Sequence, residues 1–183
     1  MMSTPQVHVL IPAAGRGTRY GGARLKQYLP VAGRSVLAHS IKAFQFHPMI
    51  SSITVILAEE DQLFESSVGR LAASVNTVIG GDTRAQSVRN GLQFISDNYS
   101  DADWALVHDA ARPCLSPSRF EKFLEQGLES VHGAILAVPV GDTLKRAGDS
   151  QEIVATVDRT GLWSAQTPQL FRINALAEAI ASK

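Results

Sequence analysis

Residues 7–17 have the sequence Val-His-Val-Leu-Ile-Pro-Ala-Ala-Gly-Arg-Gly, in which an apolar run leads directly into a glycine-rich turn. The run Val7–Ile11 is nearly continuous rather than alternating, and such runs are typical of strands buried on both faces of a parallel sheet. Further strand-like runs follow along the chain: Ile53–Leu57, Thr77–Ile79, Ala105–Val107 and Ala134–Val140. We therefore predict a mostly parallel sheet.

Amphipathic helical patterns lie between these runs. Apolar residues recur at intervals of three and four in three groups: Leu37, Ile41 and Phe44; Val88, Leu92 and Ile95; Phe120, Phe123, Leu124 and Leu128. Thr83 and Ser116 are candidate N-caps, and Pro117 fits the first position of a helix. Alternating strands and helices predict an α/β fold of the Rossmann-like kind, with helices on both faces of the sheet.

The pattern changes after residue 140. Two short strand-like segments, Asp142–Ala147 and Glu152–Arg159, flank a Gly-Asp-Ser turn and predict a projecting β-hairpin arm at about residues 141–160. The segment Asn174–Lys183 has helical character. A chain of 183 residues fits one domain spanning residues 1–183.

Composition excludes several classes of protein. The chain has 17 basic and 17 acidic residues, so a global basic field for nucleic acid is absent. The first 50 residues are predicted to contain an anion-binding segment. All six of their charged residues are basic: Arg16, Arg19, Arg24, Lys26, Arg34 and Lys42. The longest apolar stretch is far shorter than the roughly 20 residues that cross a bilayer, and the chain has one cysteine. We expect a soluble, cytoplasmic protein with no membrane partner.

The glycine-rich turn is the first candidate site. Glycine at 15 and 17 lets backbone N–H groups approach an anion, and Arg16, Arg19 and Lys26 add positive charge. The spacing fits neither a dinucleotide fingerprint, because Tyr20 occupies the third glycine position, nor a P-loop, because Leu25 precedes the lysine. A glycine turn with solvated cations remains the alternative.

Three later segments add polar groups. Asp109 ends a buried strand and could hold Mg²⁺ together with substrate phosphates, or could simply pair with Arg112 in a surface loop. Residues 80–87, Gly-Gly-Asp-Thr-Arg-Ala-Gln-Ser, could receive a pyrimidine or could form an ordinary capped helix start. Thr143 and Arg159 on the predicted arm could grip a sugar phosphate or be incidental. His108 alternates away from this edge and fits a hydrogen-bonded core residue.

These segments together resemble the 2-C-methyl-D-erythritol 4-phosphate cytidylyltransferase family. The resemblance covers about Val9 to Phe171 and rests on motifs in a fixed order: Pro-Ala-Ala-Gly-x-Gly-x-Arg from Pro12, Lys-Gln-Tyr-Leu (26–29), Gly-Gly-Asp-x-Arg-x-x-Ser (80–87), Val-His-Asp-Ala-Ala-Arg-Pro (107–113), Asp-Thr-x-Lys-Arg (142–146), Thr-Val-Asp-Arg (156–159) and Gln-Thr-Pro-Gln (166–169). Family members extend further, so we expect the C-terminal part of the family's domain to be missing.

The resemblance implies that the chain transfers CMP from CTP to methylerythritol phosphate, with Mg²⁺, in isoprenoid precursor synthesis by the non-mevalonate pathway. It assigns Arg19 and Lys26 to catalysis and Asp109 to the metal. The implied CTP-binding residues are Pro12, Ala13, Ala14, Gly15, Gly81, Asp82 and Ser87. The implied substrate-binding residues are Arg112, Thr143, Arg159 and Thr167. It also implies a homodimer through the hairpin arm, with Thr143 and Arg159 serving the partner's site.

Two alternatives stay open at this point. The chain could be a cytidylyltransferase for another polyol phosphate, such as ribitol 5-phosphate. It could also be a non-catalytic nucleotide-binding or dimerisation module.

Overall fold

The computed structural model describes residues 5–15, 25–99 and 103–182. Its strands are β1 Val7–Pro12, β2 Pro30–Val31, β3 Arg34–Ser35, β4 Ile50–Leu57, β5 Asn76–Ile79, β6 Trp104–Val107, β7 Ala134–Pro139, β8 Leu144–Ala147, β9 Ile153–Val157 and β10 Trp163–Arg172. Its α-helices are α1 Val36–Lys42, α2 Phe64–Val68, α3 Arg84–Asn98, α4 Pro117–Glu129 and α5 Ile173–Ala181. Two 3₁₀ helices lie at Lys26–Tyr28 and Gly69–Ser74.

Six strands of this part of the chain form the central sheet, in the order β5-β4-β1-β6-β10-β7. The pairs β1–β4, β1–β6 and β4–β5 are parallel, as the apolar runs predicted. Strand β10 runs antiparallel between β6 and β7. The run predicted from residue 134 is confirmed as β7, which follows α4 and is parallel to β6. Strand β10, which separates β6 from β7 in the sheet, was not predicted.

Helices cover both faces of the sheet. In β1, Val7, Val9 and Ile11 belong to the core under α1, α2 and α4, whereas Leu10 belongs to the core under α3 and α5. Alternate side chains of one strand thus enter two different cores, which explains why the run shows no polar alternation. The three predicted helical stripes supply the facing residues, including Phe44, Leu92 and Phe120.

The predicted helix starts are confirmed in position. The Thr83 side chain accepts a hydrogen bond from the backbone N–H of Gln86, as a capping residue does. Ser116 precedes α4 with Pro117 at its start, but its side chain makes no capping hydrogen bond. His108 is fully buried, which agrees with a core role.

The predicted hairpin arm consists of β8 and β9, which pair antiparallel and form a sheet separate from the central one. Several large apolar side chains on or beside the arm are exposed, among them Ile153 (68%), Val154 (55%) and Trp163 (62%). Among the residues that the structure describes, no helix has the length and hydropathy that crossing a membrane requires.

Candidate active-site cleft

A cleft of about 1820 Å³ opens at the carboxyl edge of the parallel strands. Among the described residues, four of its lining segments lie where a strand ends: residues 12–15 at the end of β1, 58–63 after β4, 79–84 at the end of β5 and 109–112 after β6. The chain crosses from β1 to β4 on one side, whereas β6 lies on the other side of β1. Ligands of open α/β sheets bind at such a reversal of strand order.

The floor of the cleft is formed by close backbone packing. The N–H of Ala13 donates to the carbonyl oxygen of Ile56 at 2.7 Å, and the N–H of Gly80 donates to that of Leu57 at 2.8 Å. A Cβ at position 80 would lie 2.7 Å from Cβ of Ala14 and 2.8 Å from Oγ of Ser87. Glycine is therefore required where the β1 and β5 loops meet, because any side chain would push them apart.

Lys26 reaches the cleft from the short 3₁₀ helix that begins with it. Nε2 of the buried Gln27 donates to the carbonyl oxygen of Ala13 at 2.9 Å. Oη of Tyr28 donates to Oδ2 of Asp61 at 2.5 Å, and Oδ1 of Asp61 accepts from the N–H groups that begin α2. Burial, followed by the bond to Asp61, raises the pKa of the Tyr28 hydroxyl above its usual range. Two side-chain anchors thus hold the turn that carries Lys26.

The loop at residues 80–87 is ordered by its own side chains. Oγ of Ser87, which is buried, accepts from the N–H of Gly81 at 3.1 Å and donates to its carbonyl oxygen at 3.3 Å. Oε1 of Gln86 accepts from the N–H of Asp82 at 3.1 Å. The backbone around Gly81 is therefore preformed, while the exposed side chain of Asp82 lines the cleft.

Asp109 contacts two arginines. Oδ1 accepts from Nη2 of Arg84 at 3.1 Å, and Oδ2 accepts from Nε of Arg112 at 3.0 Å. Burial by itself would raise the pKa of the Asp109 carboxyl, but the charges and hydrogen bonds of Arg84 and Arg112 outweigh it and lower that pKa. The carboxylate is thus fully ionised at neutral pH. The pairing with Arg112 that the sequence offered as an alternative occurs, and it occurs inside the cleft.

Buried groups hold the Asp109 loop in place. Oγ1 of Thr167 accepts from the N–H of Asp109 at 3.1 Å, and Oγ of Ser40 donates to the carbonyl oxygen of Ala110 at 3.0 Å. Nε2 of His108 lies 3.0 Å from the carbonyl oxygen of Arg112. Burial lowers the pKa of the His108 imidazole, so it is neutral and the ring serves as a support behind the cleft.

The arm residues lie apart from the lining of the cleft. Thr143 and Arg159 are exposed, and the Arg159 guanidinium donates to the carbonyl oxygen of Gly141 at the base of the arm. Thr167 is buried beside the Asp109 loop and likewise does not line the cleft.

The cleft brings together ten of the residues that the sequence singled out: Pro12, Ala13, Ala14, Gly15, Lys26, Gly81, Asp82, Ser87, Asp109 and Arg112. Arg19, the other candidate catalytic cation, lies outside the described residues. Sequence reasoning quoted Arg84 within the motif at residues 80–87 without giving it a role, and it missed the acidic run Glu59–Asp61; both line the cleft. The strand end before residue 58 was the available signal, because it places the loop after it at the same edge of the sheet.

The sequence of this chain is similar to those of known proteins of one family. The family model for 2-C-methyl-D-erythritol 4-phosphate cytidylyltransferase (IspD) matches residues 7–183. The enzyme of that name from Dechloromonas aromatica is 44% identical over 178 residues, covering 96% of this chain and 78% of the relative. The one from Xanthomonas campestris is 46% identical over 183 residues, covering 98% of this chain and 69% of the relative.

Solved structures agree with the sequence matches. A crystal structure of 4-diphosphocytidyl-2C-methyl-D-erythritol synthase superposes with a TM-score of 0.84 at 40% identity, covering 98% of this chain and 80% of that one. The 2-C-methyl-D-erythritol 4-phosphate cytidylyltransferase of Francisella tularensis gives 0.78 at 33% identity, covering 97% and 77%. At 40% and 33% identity, these two proteins share sequence as well as fold with this chain.

Proposed function

The chain belongs to the 2-C-methyl-D-erythritol 4-phosphate cytidylyltransferase family, and we propose that it transfers CMP from CTP to 2-C-methyl-D-erythritol 4-phosphate and releases pyrophosphate. The chain is a nucleotidyltransferase of isoprenoid precursor synthesis. The observation that carries the assignment of its site is the shared cleft, in which Lys26, the Gly81 loop and Asp109 face one space at the carboxyl edge of the sheet.

The cytidine half of CTP fits the preformed backbone of the cleft. The chain from Pro12 to Gly15 and the loop at Gly81 line the cleft with backbone that carries no bulky side chains. Asp82 supplies a carboxylate that can accept from the exocyclic amine of cytosine. Ser87 contributes by fixing the Gly81 backbone rather than through an unengaged hydroxyl. Preorganised backbone of this kind lowers the entropy cost of binding.

The charge balance of the cleft calls for additional cations. The described part of its lining contains three basic and five acidic side chains: Lys26, Arg84 and Arg112, and Glu59, Glu60, Asp61, Asp82 and Asp109. A triphosphate therefore needs positive charge from elsewhere. We assign that charge to Arg16, Arg19 and Arg24 on the segment that joins Gly15 to Lys26, and to Mg²⁺.

The residues present fit a magnesium ion that arrives with its nucleotide. The described residues contain no cluster of three or more acidic, histidine or cysteine side chains, but Mg²⁺ binds commonly through one carboxylate, substrate phosphates and water. Asp109 supplies that carboxylate at the strand end. When bound, the ion would neutralise phosphate charge and orient the phosphates.

Catalysis then consists of positioning and charge neutralisation. An oxygen of the methylerythritol phosphate attacks the α-phosphorus of CTP, a new P–O bond forms, and the bond to the bridging oxygen of the leaving pyrophosphate breaks. The attacking group is already an anion, so a protein base is unnecessary. Lys26, together with Arg19, stabilises the negative charge that grows on the α-phosphate and on the leaving group.

The sugar phosphate is assigned to Arg112, Thr143, Arg159 and Thr167. Arg112 lies in the cleft, and Thr167 supports the backbone of Asp109. Thr143 and Arg159 lie on an arm that carries exposed apolar side chains, which supports pairing of the arm with a second copy. We propose a homodimer in which each arm completes the partner's site, and a cytoplasmic location in keeping with the single cysteine, Cys114.

The experiment that tests this function is a pyrophosphate-release assay with CTP, Mg²⁺ and methylerythritol phosphate. Turnover that requires all three supports the proposal. A parallel assay with ribitol 5-phosphate measures the preference between polyol phosphates, and faster turnover on ribitol 5-phosphate would contradict the named acceptor. CTP binding by calorimetry without any pyrophosphate release would favour a binding module instead.

A further inference from the structure

Within the described lining of the cleft, Arg84 is a cation to which the proposed function gives no role. Arg84 is the first residue of α3 and follows the Gly81 loop, and its guanidinium reaches Oδ1 of Asp109 at 3.1 Å. Arg112 holds the other oxygen at 3.0 Å, three residues further along the same loop as Asp109. Two arginines from different loops thus share the carboxylate that the reaction needs for its metal.

The charge around Asp109 opposes a divalent cation in the free protein. One carboxylate between two guanidinium groups gives a local net charge of about +1, and a dication brought to that point is repelled by both. The two guanidinium groups also occupy hydrogen-bonding positions on both carboxylate oxygens. A nucleotide triphosphate carries several negative charges, and its arrival reverses the sign of this local field.

The geometry lets Arg84 move its side chain without moving its backbone. The capping bond from the N–H of Gln86 to Thr83 fixes the start of α3. The Arg84 side chain is 52% exposed and that of Asp109 is 35% exposed. Ion pairs at such exposure contribute little to stability, so this one can open at low cost. A guanidinium matches phosphate oxygens as well as it matches a carboxylate.

We propose, on the basis of the proposed function, that Arg84 makes divalent-metal binding at Asp109 depend on the nucleotide. In the free protein Arg84 pairs with Asp109 and disfavours the metal. When nucleotide enters the cleft, Arg84 transfers to the phosphates, and Asp109 becomes available to the metal. Metal and nucleotide then bind together, and the metal does not occupy the site first.

The test measures Mn²⁺ binding directly, from the electron paramagnetic resonance signal of unbound Mn²⁺, without nucleotide. Arg84→Met is expected to bind Mn²⁺ about tenfold more tightly than the parent, because one positive charge near the ion is removed. Arg70→Met removes an exposed arginine outside the cleft lining and is expected to match the parent. Equal or weaker Mn²⁺ binding by Arg84→Met overturns the proposal.

Two further measurements test whether the metal binds at Asp109 and whether Arg84 leaves Asp109 when the nucleotide binds. In Arg84→Met combined with Asp109→Asn, the gain in Mn²⁺ affinity must vanish, and a gain that survives overturns the assignment to Asp109. With saturating CTP, and after the Mn²⁺ taken up by CTP in a protein-free control has been subtracted, the affinities of the parent and Arg84→Met must converge, and a persistent tenfold gap overturns the exchange. Pyrophosphate release by the parent tests the proposed function separately. A failure of the proposed function and a failure of the role proposed for Arg84 are therefore distinguished.

Discussion

Oη of Tyr28 lies 2.5 Å from Oδ2 of Asp61, and this hydrogen bond joins residues 33 positions apart. The other oxygen of Asp61 accepts from the N–H groups of Leu63 and Phe64 at 2.9 and 3.0 Å. Tyr28 ends the turn that begins with Lys26, and Asp61 belongs to the loop after β4. Two loops of the cleft therefore form one hydrogen-bonded unit, and the position of Lys26 depends on it.

Tyr28→Phe is expected to lower both stability and turnover. The ring still fills its buried space, so the loss is that of one hydrogen bond, about 1 kcal/mol of unfolding free energy. Turnover should fall several-fold, with a smaller change in the KM for CTP, because Lys26 is less firmly oriented. Urea denaturation and pyrophosphate release measure the two effects. Unchanged turnover in a destabilised variant would show that the contact has only a structural role.

The contribution of the Tyr28 hydroxyl to stability is expected to depend on pH in the alkaline range. The folded-state pKa of Tyr28 is raised above the ordinary value of 10.0, so its contribution to stability is complete below pH 10 and is lost as the pH rises further. The difference in unfolding free energy between the parent and Tyr28→Phe should be constant from pH 7 to about 9.5 and should shrink above pH 10. If the difference in unfolding free energy instead grows above pH 10, the prediction is contradicted.

Lys26→Ala is expected to reduce kcat by about 10²–10³, or roughly 3–4 kcal/mol of transition-state stabilisation, by analogy with the loss of one oxyanion donor. The side chain is exposed, so stability should change little. Lys42→Ala, at the end of α1 and outside the cleft lining, is the matched control and should retain parental turnover. Activity of Lys26→Ala within a few-fold of the parent would remove Lys26 from the mechanism.

Gly80→Ala is expected to destabilise the protein by about 1–3 kcal/mol and to weaken CTP binding. Its methyl group would lie 2.7 Å from Cβ of Ala14 and 2.8 Å from Oγ of Ser87, so the β1 and β5 loops must separate. Gly141→Ala meets nothing within 4 Å and should change the unfolding free energy by less than about 0.5 kcal/mol. Denaturation and calorimetry with CTP check both, and equal effects of the two substitutions would contradict the close packing.

Periodicity predicted the parallel strands because their side chains enter cores on both faces, which leaves a continuous apolar run. It missed β10, in which Gln166, Thr167 and Gln169 interrupt the pattern and Pro168 cannot donate to a ladder. The structure places Pro168 within the register irregularity between Ala165 and Gln169, where no ladder bond is needed. Local pattern rules therefore exclude a strand that tertiary pairing permits.

The motifs predicted most of the cleft because strand ends gather at one edge of a parallel sheet. They gave no indication of the Tyr28–Asp61 hydrogen bond or of the contact between Arg84 and Asp109, which join loops far apart in the chain. Such pairs depend on the relative placement of whole elements. A single sequence does not encode that placement in any local period.

Asp109→Asn is expected to change how stability depends on acid. The folded-state pKa of Asp109 lies below the ordinary value of 3.8, so its ionised form stabilises the fold above that pH, and the contribution is lost as the pH falls through the folded value. The difference in unfolding free energy between the parent and Asp109→Asn should be constant above about pH 5 and should narrow below pH 4. The narrowing should be smaller when Arg84→Met is present in both proteins.

The proposed dimer predicts complementation between two inactive variants. Lys26→Ala disables the cleft of its own subunit, whereas Arg159→Ala disables the arm that serves the partner. In a mixed dimer, one cleft has both Lys26 and an intact Arg159 from the other subunit, and the second cleft has neither.

Equal amounts of the two variants, mixed under conditions of subunit exchange, should therefore recover roughly a quarter of parental turnover, since half of the dimers are mixed and each has one complete site. Ile153→Glu places a charge on the exposed apolar face of the arm and should shift the protein to monomers in sedimentation, abolishing the recovery. If each arm instead serves its own subunit, mixing recovers nothing, and Arg159 acts within one chain.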